Sequence, residues 1–241
     1  MADKDSDASE LFDEYHEKYS ATIDKSLAFT GFKADYFTKV KAGYILEETK
    51  KRFTNLASIS CLDIGCGIGN IHPLLIPHIG SLTGIDVSTA SIETATANNP
   101  SACYDTYEGK QLPYMDGTFD LALSICVMHH INPSDWYNFV VEMRRVLKPN
   151  GMAIVFEHNP ANILTRRVVN QCPFDKDAVL LKKKQLLTIF KKSELKELES
   201  RFILTIPAGN SFLRRIDRLF SLAPLGAQYY VIGVKDSEIE D

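Results

Sequence analysis

The sequence predicts an α/β domain: a mostly parallel sheet with helices on both faces, a helical segment in front and an antiparallel pair of strands at the end. Three observations carry this. From about residue 57, short apolar runs alternate with amphipathic stretches, the β-α-β-α rhythm of a parallel sheet. The first run passes through a glycine turn, LDIGCGIGN (62–70), into a helical pattern. Two late apolar runs, FILTI (202–206) and QYYVIGV (228–234), suit an antiparallel pair at a sheet edge.

Residues 1–10 are polar and acidic and read as a disordered tail. Residues 11–235 read as one domain: a helical cap (11–56), a ligand-binding core (57–157) and a substrate-side segment with the terminal strands (158–235). From Leu11 to about Phe53 the pattern is helical, with breaks expected at Gly31 and Gly43. Strands are expected at 58–64, 81–87, 102–107, 119–127 and 151–157, and helices at 68–79, 88–98 and 133–147. The last of these helices sets Trp136, Phe139, Val140, Met143, Val146 and Leu147 at helical spacing and meets a stop at Lys148-Pro149-Asn150-Gly151. Residues 181–201 should be mostly helical.

With 241 residues, 45% of them apolar, the chain can bury a core without staples. Its five cysteines (61, 66, 103, 126, 172) form no metal-ligand or disulfide framework, which suits a reducing compartment. The acidic N-terminus is no secretory signal, and no apolar run approaches the roughly 18 residues of a membrane span. The expectation is a cytoplasmic protein, a monomer or weak dimer. Charge is uneven: residues 1–24 balance to −6 and residues 160–235 to +8. Within the basic third, 210–226 places Phe212, Leu213, Ile216, Leu219 and Phe220 on one helical face, with Arg214, Arg215 and Arg218 off it. Such a helix either packs its apolar face on the core or touches an anionic membrane peripherally.

The glycine turn sits where open α/β sheets bind ligands. The dinucleotide fingerprint G-x-G-x-x-G fails, because Asn70 stands where the third glycine belongs. Asp63 precedes the glycines, and a carboxylate there repels a diphosphate by about 1 kcal/mol even at water-like dielectric. The same carboxylate suits a cation, such as S-adenosylmethionine (SAM) with its ammonium and sulfonium. Asp86 ends the second strand, where an acid can accept both ribose hydroxyls. Glu108 follows the third, in position for an adenine amino group.

These segments, in this order, resemble a class I SAM-dependent methyltransferase of the small-molecule type. LDIGCGIGN is similar to that family's first motif, GIDVS to its second, LPYMDGTFDLALSICVMHHI to the stretch ending in a histidine pair, and RRVLKPNGMAIVFE to the lead into strand five. The resemblance covers about residues 57–157. It implies a Rossmann-like seven-stranded sheet with an antiparallel last strand, SAM as cofactor and S-adenosylhomocysteine as product. It places Asp63, Gly65 and Gly67 at the methionine moiety, Asp86 at the ribose, Glu108 and Gly109 at the adenine, and Cys66, Val87 and Cys126 at the cofactor. Tyr19, Tyr36 and Lys41 become contacts of the N-terminal cap, a lid that excludes water.

The acceptor side is thinner. His130 and His158 are candidate general bases, and His129, Asn159 and Arg166 candidate substrate contacts. Adjacent residues on a strand point to opposite sides, so one of His129 and His130 is expected to face the cleft. Asn159-Pro160 could equally be only a turn. No metal-ligand spacing links the histidines, so no metal is expected. HHIN stands where base-handling motifs of nucleic-acid methylation occur, favouring a small or lipid-linked acceptor over nucleic acid. The rivals are an NAD-dependent oxidoreductase and a non-catalytic SAM-binding protein.

Overall fold

The structure, a computed structural model, describes residues 19–28 and 31–237. The expected tail (1–10) and the helical stretch before Tyr19 lie outside the described residues. The described chain runs α1 (Tyr19–Leu27), α2 (Ala34–Arg52), β1 (Ser60–Ile64), α3 (His72–Leu75), β2 (Ser81–Asp86), α4 (Thr89–Asn98), β3 (Cys103–Thr106), β4 (Phe119–Ile125), α5 (Trp136–Val146), β5 (Leu147–His158), α6 (Ile163–Gln171), α7 (Lys183–Lys192), β6 (Leu195–Ile203), α8 (Ser211–Asp217) and β7 (Gln228–Lys235). Seven strands form one sheet in the order β3-β2-β1-β4-β5-β7-β6. β7 runs antiparallel to both β5 and β6; the pairs from β3 through β5 are parallel.

Strand alternation divides the core into two layers. Leu121, Leu123, Ile154, Phe156, Tyr230 and Ile232 face the layer containing Val40, Tyr44 and Ile45 of α2. Their neighbours Ala122, Ala153, Val155, Tyr229 and Val231 face the opposite layer, with Phe139, Val140 and Met143 of α5 and Phe190 of α7. The apolar positions predicted for α5 are all buried, with Leu147 already inside β5.

Four local expectations are corrected. α2 does not break at Gly43; the missing side chain makes room for Arg214, whose Cζ would stand 2.5 Å from a Cβ there. The helix expected over 68–79 shrinks to one turn, since Pro73 is tolerated at its start but Pro77 cannot donate to continue it. The helix expected through 201 stops at Lys192, Glu194 turns at φ 57°, and LKELESRFI is a strand. Its lysines and glutamates favour helix, but β6 is an edge strand, where charged side chains are tolerated and block further pairing. Finally, the fourth strand ends at Ile125, and Met128–His130 is a 3₁₀ turn rather than strand.

Candidate functional site

β1 pairs with β2 on one side and β4 on the other, so the strand order reverses there, which is where open α/β sheets bind ligands. A cavity of about 700 Å³ opens at these strand ends.

One wall is the glycine turn. The Gly65 and Cys66 N–H groups donate to the Ile85 carbonyl at 2.8 and 3.1 Å, folding the turn onto β2. Gly65 has φ +75°, and a Cβ there would stand 2.5 Å from Val127; Gly67 has φ +52° and open space in front of it. Asp86 Oδ2 accepts from the Gly67 N–H at 2.7 Å and Oδ1 from the Ser88 N–H at 3.0 Å. Burial raises the Asp86 pKa against the lowering effect of these bonds. Asp63 is buried, with Oδ2 3.0 Å from His72 Nε2; His72 Nδ1 lies 2.5 Å from the Tyr104 hydroxyl. The other oxygen, Oδ1, is buried and has no hydrogen-bond partner among the described residues. His72 and Tyr104 were not singled out in the sequence. They orient the acid, and a histidine at the start of a short helix gave no signal.

Tyr36 and Lys41, both from α2, and Cys126 line the same cavity, as do Val87 and Gly109. Lys41 Nζ is 3.9 Å from Cys126 Sγ. Burial raises the Cys126 thiol, but Lys41 and His158 outweigh it and hold the thiol below its ordinary pKa. Cys66, also on the wall, is pushed well up by burial and by Asp63 and Asp86.

The opposite wall gathers three histidines. Because residues 128–130 form a turn, His129 and His130 both line the cavity, against the expectation that only one would. Their ring centroids are 4.1 Å apart, and His158 stacks at an angle 5.0 Å from His129. Glu157, wholly buried at the end of β5, organises the turn: Oε1 accepts from the Met128 N–H at 2.8 Å and Oε2 lies 2.7 Å from His129 Nδ1. The Trp136 indole N–H donates to the Met128 carbonyl at 2.7 Å. On the far side, Asp175 Oδ1 is 3.4 Å from His129 Nε2 and 3.5 Å from His130 Nε2. Burial alone would lower the His129 pKa, but Glu157 and Asp175 raise it well above its usual value. Burial and the neighbouring His129 push His130 down to about 3. Asp175 is held down at about 2, the histidines outweighing its burial. Glu157 and Asp175 were missed in the sequence. An acid closing an otherwise apolar strand, GMAIVFE, was the available signal for Glu157; nothing local marks Asp175.

Gln228 opens β7 with Nε2 3.6 Å from Cys126 Sγ and 3.5 Å from His158 Nδ1. Beyond it the cavity turns apolar, lined by Leu164, Val168, Leu204, Ile206 and Leu225. The loop carrying Leu204 and Ile206 is held from below by buried Asp217, which accepts from the N–H groups of Leu204, Thr205 and Ile206 and from the Tyr44 hydroxyl.

Several expected site residues stand elsewhere. Glu108 is exposed and off the cavity, while its neighbours Tyr107 and Gly109 line it. Arg166 is exposed on α6 and off the cavity. The Asn159 side chain is buried and committed: Nδ2 donates to the Pro224 and Gly226 carbonyls, and Oδ1 accepts from the Ala161 N–H. It is the turn residue of its alternative reading, bolting the 224–226 loop to β5. Tyr19 starts α1, but its side chain lies outside the described residues. In the 210–226 segment, where α8 spans only Ser211–Asp217, the apolar face does not pack on the core as one of the two readings expects. Arg214 and Arg218 turn inward onto Glu47 and Glu48, whereas Phe212 and Leu219 are 68% and 79% exposed.

Residues 62–155 match the methyltransferase domain family. Among curated relatives, an uncharacterized methyltransferase of Synechocystis sp. is 33% identical over 104 residues, covering 43% of this chain and 49% of the relative. A ubiquinone biosynthesis O-methyltransferase of Rickettsia canadensis is 27% identical over 125 residues, covering 48% and 50%. The chain thus spans about half the length of the curated relatives it matches. A SAM-dependent methyltransferase of Thermotoga maritima has the same fold, with a TM-score of 0.64 at 19% identity over 94% of this chain and 99% of that one. Residues 62–155 thus form a domain of the methyltransferase family, and the chain has the fold of SAM-dependent methyltransferases.

Proposed function

We propose that this chain transfers the methyl group of SAM to an apolar, hydroxyl-bearing acceptor by direct in-line displacement. The observation that carries the reading is Asp63, a residue lining the cavity: one oxygen is held by His72, and the other is buried with no partner among the described residues. A buried carboxylate oxygen left in this way is costly unless a cation or donor meets it. The ammonium of SAM is such a group, and a dinucleotide phosphate is not. Gly65 and Gly67 leave bare backbone for the cofactor's approach, and Asp86 keeps unused lone pairs for ribose hydroxyls.

The bound cofactor supplies an electrophilic methyl group on a sulfonium. The chain supplies position and a dry site. Lys41 and Tyr36 line the cavity from α2 and shield that side from water. Leu164, Leu204, Ile206 and Leu225 form an apolar berth for the acceptor. His130, held at about 3, is too weak a base at neutral pH. His129 has both ring nitrogens engaged, Nδ1 by Glu157 and Nε2 by Asp175, and offers none to the acceptor. This leaves His158 to receive the acceptor's proton, with Gln228 3.5 Å from its Nδ1.

The apolar berth supports an acceptor with a hydrocarbon body. Exposed Ile163, Leu164, Leu219, Leu222 and Leu225 extend this apolar character over the neighbouring surface, which supports delivery of the acceptor from a lipid phase. No described helix is long and apolar enough to cross a membrane, so such contact would be peripheral. The Rickettsia relative's name, an O-methyltransferase of ubiquinone biosynthesis, agrees in acceptor class. The test is turnover of labelled SAM with two panels, alkylated phenols and small polar amines. Methylation of the phenols alone is expected; methylation of the amines alone would overturn the acceptor reading, and no turnover with SAM bound would favour a non-catalytic binder.

A further inference from the structure

We infer that His129, His130 and Asp175 form a binding site for one divalent transition-metal ion on the acceptor wall of the cavity. One donor atom from each lies within 4.8 Å of the others. Asp175 Oδ1 is 3.4 Å from His129 Nε2 and 3.5 Å from His130 Nε2. Two ligands bonded to one zinc ion at about 2.1 Å and a tetrahedral angle stand about 3.4 Å apart, so both separations from Asp175 match a shared ion. Two imidazoles and a carboxylate are the donor set of Zn²⁺, Fe²⁺, Mn²⁺ and Co²⁺ rather than of Ca²⁺ or Mg²⁺.

The surroundings argue the same way. Glu157 Oε2 is 2.7 Å from His129 Nδ1, the carboxylate–histidine arrangement that fixes the tautomer of a metal-binding imidazole and aims its other nitrogen. Glu157 is itself wholly buried and anchored by the Met128 N–H, so the ring cannot swing away. The Val179 N–H donates to the His129 carbonyl at 2.8 Å, tying the segment that follows Asp175 to the turn. All three donors line the cavity, so a further coordination position would face the acceptor. Two carboxylates, Glu157 and Asp175, press on His129 from opposite sides, an anionic setting that favours a cation between Asp175 and the rings. The expectation of no metal weighed His129 and His130 against His158, whereas the third donor, Asp175, comes from a distant segment. Insofar as it rests on the proposed function, the ion would bind the acceptor's oxygen and favour its ionised form beside the SAM methyl.

The full chain, stripped with chelator, would be titrated with Co²⁺ and followed by its visible ligand-field absorption, then with Zn²⁺ to displace it. One Co²⁺ per chain is expected, displaced stoichiometrically by Zn²⁺. His130→Ala and Asp175→Asn should each weaken binding at least about 100-fold, and Glu157→Gln about 10- to 100-fold. SAM affinity, measured by calorimetry on the same samples, should change little, which separates failure of the metal site from failure of the cofactor reading. Absence of Co²⁺ and Zn²⁺ binding by the stripped wild type would overturn the site and leave an imidazolium clasped by two carboxylates. Equal binding by wild type and a folded His130→Ala would overturn it too, even if Asp175→Asn failed to fold.

Discussion

The cavity's two walls are built by opposite means. The proposed cofactor wall centres on one contiguous stretch, strand β1, a glycine turn and the end of β2, and its central groups are backbone plus two acids spaced by the fold itself. The acceptor wall is assembled from the exits of β4 and β5, the turn after α6, the loop after β6 and the start of β7. Its working groups are side chains that hold one another. The difference teaches which part of such a protein can be read locally. Where backbone geometry does the binding, sequence spacing is the geometry; where side chains converge from distant segments, spacing carries little.

That contrast can be broken by mutation, and the largest effect is expected at Glu157. Glu157→Ala leaves His129 without its buried partner and should lower stability by about 3–5 kcal/mol, read from the urea midpoint. SAM affinity of the folded fraction should hold within a few-fold, because the two walls are built independently; a collapse of SAM affinity would show them coupled. His158→Ala should cut kcat by about 10²- to 10³-fold with SAM affinity unchanged, as for loss of a general base. An unchanged kcat would remove His158 from the chemistry.

Smaller effects sharpen the same division. Asn159→Ala should cost about 1–3 kcal/mol by orphaning the carbonyls of Pro224 and Gly226, and it should raise the KM for the acceptor more than for SAM. The smallest concerns Asp120, behind the cofactor wall. Burial raises its pKa, but hydrogen bonds from Lys148 and Ser60 outweigh this and hold it below the ordinary carboxylate value. A depressed acid contributes stability above its unfolded pKa of about 3.9 and loses it as pH falls through its lower folded pKa. Asp120→Asn should therefore destabilise by up to about 1 kcal/mol at pH 7, with the gap to wild type closing below about pH 4.

The fold was largely legible, since strand positions, the α5 face and the terminal antiparallel pair follow from periodicity that burial enforces. The misreading at 193–201 has a physical cause: Lys and Glu favour helix locally, while an edge strand tolerates them and pairing with β7 decides. On the candidate site, Asp63, Gly65, Gly67 and Asp86 fall together on one cavity wall because a turn between two strands fixes their distances. Asn159 could not be placed, because the same dipeptide serves a turn or a ligand, and only its bonds to Pro224 and Gly226 decide. Glu157, Asp175 and Gln228 escaped because their partners lie on other strands and loops. The arginines of 214–218 misled for a related reason: their counter-charges, Glu47 and Glu48, sit on α2.

The central claim is that Asp63 selects a cationic cofactor over a phosphate-bearing one. Isothermal calorimetry of the wild type and of Asp63→Ala, each titrated with SAM and with NAD, tests it most directly. The account predicts that wild type binds SAM and not NAD, and that Asp63→Ala weakens SAM by about 10²-fold or more, the cost of leaving the ammonium without its buried counter-charge. NAD binding by the wild type, or SAM affinity untouched by Asp63→Ala, would contradict it.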